Sequence, residues 1–118
     1  MTLDPAALVD MLAMVGDDPE FVGEIVDAYL ADAPEQVRGM TEALAMGDLV
    51  TLGRHAHTLK GNSRNVGATA LAEIARGLEE QARAGDTTDA VARIAAAEDE
   101  LGRVIAALGD ARGRGWRP

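Results

Sequence analysis

The chain has 118 residues, enough for one domain and too few for two of ordinary size. It contains no cysteine, which excludes disulfides, thiolate metal sites and cysteine nucleophiles. Charges interrupt every apolar stretch well before the roughly 18 residues of a membrane span. The first residues lack the basic and apolar regions of a signal peptide. We therefore expect a cytoplasmic protein that does not enter a membrane.

The charge is negative overall but unevenly distributed. A formal net charge of −9 argues against binding to nucleic acid, which needs a basic surface. Residues 1–50 hold eleven acidic side chains and one basic one, whereas residues 51–85 hold five basic and three acidic ones. Both histidines and the single lysine, Lys60, lie in this mildly basic segment. The segment is suited to an acidic partner.

The first two helices are predicted from the same start signal. An aspartate before a proline, at Asp4-Pro5 and at Asp18-Pro19, combines a capping side chain with the residue favoured at the first helical position. In the second segment, apolar residues keep a spacing of three and four across Pro34. This predicts one long, bent helix over residues 19–46, with two helices broken near Ala33 as the alternative.

Three further helices follow, each with apolar residues spaced by three and four positions. Glycines end the second, third and fourth helices, at Gly47, Gly67 and Gly85. Beyond Gly109 the apolar stripe stops and glycine and proline recur. We therefore predict a bundle domain over residues 1–109 and a flexible C-terminal tail over residues 110–118.

Amphipathic helices joined by short connectors predict the fold. The chain is expected to be all-α, an antiparallel up-down-up-down four-helix bundle with a short additional N-terminal helix across one end. Because no second apolar seam is evident in the sequence, we expect a monomer.

The third helix carries both histidines, and helical geometry separates them. At about 100° per residue, His57 points to solvent while His55 lies on the flank of the apolar stripe. Gly61, one turn after His57, costs the helix about 1 kcal/mol relative to alanine and removes bulk beside the ring. Lys60 places a cation where an anion on the histidine could be neutralised. The group suits a histidine that accepts a phosphoryl group from another macromolecule.

Other interpretations of these residues stay open. A lone histidine such as His57 is more often an ordinary surface residue. Together with His55 it suggests a metal pair, and therefore a metal-binding helical bundle. Side chains two positions apart point to different faces of a helix, however, and the sequence lacks the Glu-x-x-His repeats of carboxylate-bridged bundles.

The run His-Ala-His-Thr-Leu-Lys-Gly-Asn-Ser from His55 to Ser63, followed by Asn-Val-Gly-Ala over residues 65–68, resembles a known family. It is similar to the histidine-containing phosphotransfer (HPt) domain, whose motif is Ala-His-x-Leu-Lys-Gly, then small residues and a glycine. A Leu-Glu pair about one helix later, at Leu78-Glu79, also fits. The resemblance covers about residues 17–108. It implies a four-helix bundle that shuttles a phosphoryl group between histidine and receiver-domain aspartates.

The resemblance implies a role for each site residue. His57 is the phosphoacceptor, because its spacing to Lys-Gly matches the motif. Glu79 hydrogen-bonds the far ring nitrogen, holds the tautomer, and stabilises a cationic ring such as a phosphohistidine that has kept its proton. Arg83 either assists Lys60 or pairs with Glu79 along the helix. His55 departs from the common pattern and is expected to be a partly buried flank residue.

Partner contacts are expected around the same group. A response-regulator receiver domain would dock over the His57–Gly61 face, with Val66 or Val50 as apolar contacts. The expected partner-binding residues are Gly61, Ser63, Arg64 and Arg83. Ser63 matches a small-residue position of the motif and is expected to be structural, or to touch the phosphate region.

The resemblance also limits the chemistry of the chain itself. The receiver supplies the metal ion, so no cofactor is expected here. The sequence is too short for a kinase ATP-binding domain and has no Walker-type glycine loop, so autonomous kinase activity is not expected. The partners implied are a receiver domain, a hybrid sensor histidine kinase, or both. An HPt-like module that binds receivers without phosphotransfer is the alternative.

Overall fold

The computed structural model describes residues 2–117, which form five α-helices and no strand. The helices are α1 (Pro5–Met14), α2 (Pro19–Ala45), α3 (Leu49–Asn65), α4 (Thr69–Ala84) and α5 (Ala90–Gly113). Each of α2 to α4 packs against the next helix, and α5 closes the bundle against α2 and α4. The all-α four-helix bundle predicted from the sequence is confirmed. None of the helices described is both long and apolar enough to cross a membrane.

The first three helices begin at capping aspartates. The Asp4 and Asp18 carboxylates accept hydrogen bonds from backbone N–H groups in the first turns of α1 and α2. Asp48 does the same for α3, through the backbone N–H of Thr51. α2 runs without interruption through Pro34, so the single long helix is confirmed and the broken alternative is wrong. The apolar residues of α2 keep the same spacing before and after Pro34. One continuous helix therefore buries a single apolar stripe, which two misaligned helices could not do.

The core is built from the apolar stripes of all five helices. The largest completely buried apolar side chains are Met11, Val22, Val26, Met40, Leu52, Leu59, Val66, Leu71, Leu78, Val104 and Leu108. α1 covers the end of the bundle where α3 stops, as predicted. The backbone N–H of Asp4 donates to the carbonyl of Gly67 at 2.8 Å. A Cβ at Gly67 would lie 2.6 Å from that of Ala7, and its φ is +77°, so both the turn and the close approach require glycine.

The C-terminal residues differ from the prediction of a flexible tail. α5 continues to Gly113, and the Trp116 side chain is only 2% exposed. The indole N–H of Trp116 donates to the carbonyl of Pro19 at 3.1 Å, and the Arg112 guanidinium lies 5.1 Å from the ring centroid. The predicted boundary at residue 109 is therefore too early, because Ala111 extends the buried stripe and Trp116 adds a large apolar surface. Met1 and Pro118, which the predicted segments include, lie outside the described residues.

Candidate functional site

α3 presents His57 on the surface of the bundle, as helical geometry predicts. Its side chain is 64% exposed, while the adjacent Ala56 is completely buried. The two residues are about 100° apart around the helix, so a buried Ala56 directs His57 away from the core. The ring is therefore accessible to another macromolecule.

One ring nitrogen of His57 is held by the neighbouring helix. α4 packs against α3 and places the Glu79 side chain, which is 5% exposed, next to the Nδ1 edge of the ring. The Glu79 Oε2 atom lies 2.7 Å from His57 Nδ1. A carboxylate accepts hydrogen bonds only, so in the neutral form of the ring Nδ1 carries the proton and Nε2 keeps a free lone pair. The contact implied by the family resemblance is present, and it leaves Nε2 as the ring nitrogen that faces the open surface.

Two cations share the same Glu79 carboxylate. The Lys60 ammonium donates to Oε1 at 2.6 Å, and the Arg83 guanidinium donates to Oε2 at 3.0 Å. Burial alone would raise the pKa of Glu79, but hydrogen bonds from Lys60 and His57, with the charges of Lys60 and Arg83, outweigh it. The pKa of Glu79 therefore lies below its usual value, and the buried carboxylate stays ionised at neutral pH.

Lys60 and Arg83 differ in how far their charge is available. Lys60 is 18% exposed and is occupied by Glu79, so in this structure its ammonium neutralises the carboxylate. The sequence suggested that the Lys60 ammonium would face an anion carried by the histidine. In the unphosphorylated protein the ammonium faces the Glu79 carboxylate instead. Arg83 forms the i,i+4 ion pair with Glu79 along α4. Its side chain is 74% exposed, so it also places a positive charge at the surface near the His57 ring. Pairing with Glu79 therefore does not prevent Arg83 from assisting Lys60.

The surface on either side of His57 is open. A Cβ at Gly61 would meet no atom within 4 Å, and Arg64, one turn further on, is exposed. On the other side a groove between α3 and α4 runs beside the ring and is lined by Val50, Gly53, Arg54, Ala82 and Arg83, among others. Sequence reasoning did not include Arg54 in the site. Its position one turn before His57 could have shown it, because residues three apart share a helix face.

Two residues predicted near the partner surface are buried instead. Ser63 is fully buried, and its hydroxyl lies 2.9 Å from the Tyr29 hydroxyl on α2. Ser63 belongs to the core stripe of α3, so it cannot touch a docked partner or a phosphoryl group. Val66 is 1% exposed because it closes the core after α3. Val50 is 68% exposed and remains the available apolar contact.

His55 faces α2 rather than the site. Its Nδ1 atom lies 2.8 Å from Gln36 Oε1, and its ring covers Gly39, where a Cβ would lie 2.5 Å from Nε2. The partial burial expected for His55 is confirmed. The two histidines therefore bond to different helices and do not converge on one ion. Across residues 2–117, no group of three or more potential metal-ligating side chains is clustered.

The comparisons with known proteins agree with this geometry. The family model described as "Hpt domain" matches residues 24–107. The solved structure of histidine-containing phosphotransfer protein B (HptB) from Pseudomonas aeruginosa PAO1 is similar to this chain, with a TM-score of 0.87 and 34% sequence identity. The match covers 96% of each chain. No curated protein matches the sequence. The chain therefore belongs to the Hpt family, the histidine phosphotransfer intermediates of phosphorelay signalling.

Proposed function

We propose that His57 is the residue that receives and passes on the phosphoryl group. The observation that carries the proposal is the hydrogen bond from His57 Nδ1 to Glu79, made by a ring that is otherwise 64% exposed. It fixes the tautomer in which Nε2 is the nucleophile and leaves that atom open to a partner. His55 offers no such arrangement, because its Nδ1 bonds to Gln36 on the flank facing α2.

The partner is a receiver domain that carries an aspartyl phosphate, or a hybrid kinase that contains one. Nε2 of His57 attacks the phosphorus in line, the bond from phosphorus to the aspartate oxygen breaks, and the carboxylate leaves with the electron pair. The reverse step returns the phosphoryl group to an aspartate. The chain needs no cofactor of its own in this scheme, because the receiver brings the metal ion that its aspartate requires.

The receiver docks over the face that contains His57 and Gly61. Gly61 allows a partner surface to approach the ring closely, because it adds no side chain there. Arg64 and Arg83 supply positive charge locally on a protein whose net charge is −9. Val50 supplies an exposed apolar contact. These charges would speed the encounter with an acidic receiver pocket.

Transfer from phosphorylated receivers of the source organism tests the assignment. Each receiver is labelled on its aspartate and mixed with wild type or with the His57→Gln variant. We expect wild type to gain a label that is labile to acid and stable to alkali, and peptide mapping to place it on His57. The variant should gain none, because glutamine offers no ring nitrogen.

The same experiment separates the proposal from a module that binds receivers without phosphotransfer. Such a module would bind a receiver in a pull-down while wild type stayed unlabelled. Label retained in the His57→Gln variant would move the acceptor to another residue. A monomeric state, a cytoplasmic location and the lack of autonomous kinase activity stay predictions, which sizing, fractionation and incubation with ATP would test.

A further inference from the structure

A second groove lies on the side of the bundle away from His57. This α2/α5 groove is lined by residues of α2 from Pro34 to Thr41 and residues of α5 from Glu98 to Ile105. α2 and α4 each contact both α3 and α5, so the α2/α5 groove is opposite the α3/α4 groove beside His57. The molecule measures 21 Å by 19 Å across its long axis, so a partner in one groove leaves the other uncovered.

The α2/α5 groove has an apolar floor and an exposed apolar side chain at its edge. Val37 on α2 and Leu101 on α5 form the floor and belong to the buried core. Ile105, one turn after Leu101, lines the same groove and is 41% exposed. The groove encloses about 440 Å³. A partner side chain that entered this space would therefore remove the exposed part of Ile105 from water.

Both helices carry an unfavourable residue at this groove. Pro34 on α2 and Gly102 on α5 line it, and proline and glycine are the two residues least favourable inside a helix. A Cβ at Gly102 would meet no atom within 4 Å, so packing within the chain does not require glycine at this position. The missing side chain widens the groove, as Gly61 opens the surface beside His57.

The charges around the groove indicate the kind of partner. Glu98 lines the groove and forms no ion pair with any residue from 2 to 117. On α2, the Arg38 guanidinium pairs with Glu35 and lies near Glu42, so its charge is neutralised locally. Three carboxylates and one guanidinium leave the rim acidic. This rim attracts a cationic partner and repels a second copy of the chain, whose net charge is −9.

The length of the groove fits one face of a helix. From Pro34 to Thr41, and from Glu98 to Ile105, the lining covers about 11 Å, or two helical turns. A helix that lies in a groove contacts it through residues at positions i, i+3 or i+4, and i+7. Apolar side chains at these positions fill the groove, and lysine or arginine side chains on the flanks of the helix reach the acidic rim.

We propose that the α2/α5 groove is a second docking surface, which binds a basic amphipathic helix of a partner protein while His57 stays open to a receiver. Apolar side chains of that helix cover Ile105, and its cationic side chains lie against Glu98 and the acidic rim of α2. The contact holds the chain beside a partner without blocking the acceptor ring. This inference goes beyond the proposed function and does not depend on it.

Two synthetic peptides test the surface with the full chain. Both are helices of about 14 residues with the same leucine face, and their flanks carry lysine in one and glutamate in the other. Added at up to about 1 mM to the ¹⁵N-labelled protein, the lysine peptide should shift the backbone amide signals of Val37, Gly102 and Ile105. It should bind about tenfold or more tightly than the glutamate peptide. Equal binding of the two peptides, no shift, or shifts centred outside the groove would overturn the inference.

Substitutions at exposed positions provide the variants and the control. Ile105→Ser and Glu98→Lys should each weaken binding of the lysine peptide by about tenfold. Gly102→Ala should weaken it as well, because the added methyl group occupies the groove, and this variant serves if Ile105→Ser folds poorly by circular dichroism. Val9 is an exposed apolar residue on α1 outside both grooves, so Val9→Ser should bind the peptide as wild type does. Wild-type affinity in all three groove variants would overturn the assignment.

Transfer from a phosphorylated receiver separates this inference from the proposed function. With the lysine peptide bound, wild type should still gain label on His57 at its usual rate, because the peptide lies on the opposite side of the bundle. Loss of transfer on addition of the peptide would place the peptide on the acceptor face and overturn the second docking surface. If wild type gained no label even without the peptide, the proposed function would fail, while the peptide shifts would still decide whether the α2/α5 groove binds.

Discussion

The two flanks of α3 carry one histidine each and use it differently. On the flank that faces α2, His55 bonds to Gln36 and covers Gly39, and Ser63 contacts Tyr29 within the core. On the flank that faces α4, His57 contacts Glu79 through one nitrogen and is otherwise open. The first flank joins two helices with polar contacts, and the second presents a reactive atom.

The comparison shows that a residue's surroundings decide its role more than its type does. His55 and His57 are two positions apart, yet the helix turns them toward different neighbours. Mutations on the α2 flank should therefore change stability and spare transfer. Mutations on the α4 flank should change transfer by more than they change stability.

The largest effect on stability is expected on the α2 flank, from Tyr29→Phe. This change leaves the buried Ser63 hydroxyl without its partner, which costs about 1–3 kcal/mol of unfolding free energy. Urea unfolding measures the change. The Tyr29→Phe/Ser63→Ala double variant removes both polar groups and should recover part of the loss. Transfer at a temperature where the variants are folded should match wild type, and an unchanged unfolding free energy would contradict the assigned contact.

The next prediction uses two glycines that both face open space. At Gly61 on α3 and Gly102 on α5, a Cβ would meet no atom within 4 Å. Each change to alanine should stabilise the protein by up to about 1 kcal/mol through helix propensity. Only Gly61→Ala should also slow transfer from a receiver, because its methyl group adds bulk to the proposed docking face one turn after His57. Equal transfer rates for the two variants would place the docking face elsewhere.

A smaller effect is expected when the solution is acidified. The pKa of Glu79 is lower in the folded protein than its ordinary value of 4.5. Its contribution to stability is therefore complete above about pH 4.5 and is lost as the pH falls through the folded value. Unfolding free energy measured from about pH 6 to about pH 3 should fall less steeply in Glu79→Gln than in wild type. Hydrogen bonds from Thr51 and Thr88 also lower the pKa values of Asp48 and Asp86. These two groups are the same in wild type and in Glu79→Gln, so they do not contribute to the difference between the two proteins.

The smallest effect on transfer is expected from His55→Gln. The change can cost the hydrogen bond to Gln36 and so lower stability by about 1 kcal/mol. It should leave the rate of transfer to His57 unchanged, because the altered side chain lies on the other flank. A large loss of transfer in a folded His55→Gln variant would contradict the claim that only the α4 flank takes part in transfer.

Much of the fold could be predicted from local signals. The aspartate and proline pairs mark the starts of α1 and α2, and the phase kept across Pro34 predicts one helix. The end of α5 could not be predicted in this way. Trp116 follows glycines that read as a break, and its burial depends on a contact with Pro19 at the far end of the sequence.

The site, like the fold, could be predicted only where it depends on local signals. His57 on the solvent side follows from helical rotation alone. The family resemblance implied its contact with Glu79. Local spacing did not show that the Lys60 ammonium would bind Glu79, because that depends on the packing of α4 on α3. For Ser63 the local signal was present but was not followed. Its position in the apolar stripe of α3 already indicated burial, yet it was placed among the partner-binding residues.

The sequence by itself determined the helices, the core stripe and the direction in which His57 leaves α3, because these depend on neighbours within a turn or two. Only the tertiary structure decided which nitrogen of His57 is held, how the charge of Lys60 is used, and where the C-terminal residues pack. Those features depend on side chains that are distant in the sequence and meet only when the helices pack, and residue spacing does not encode such distances.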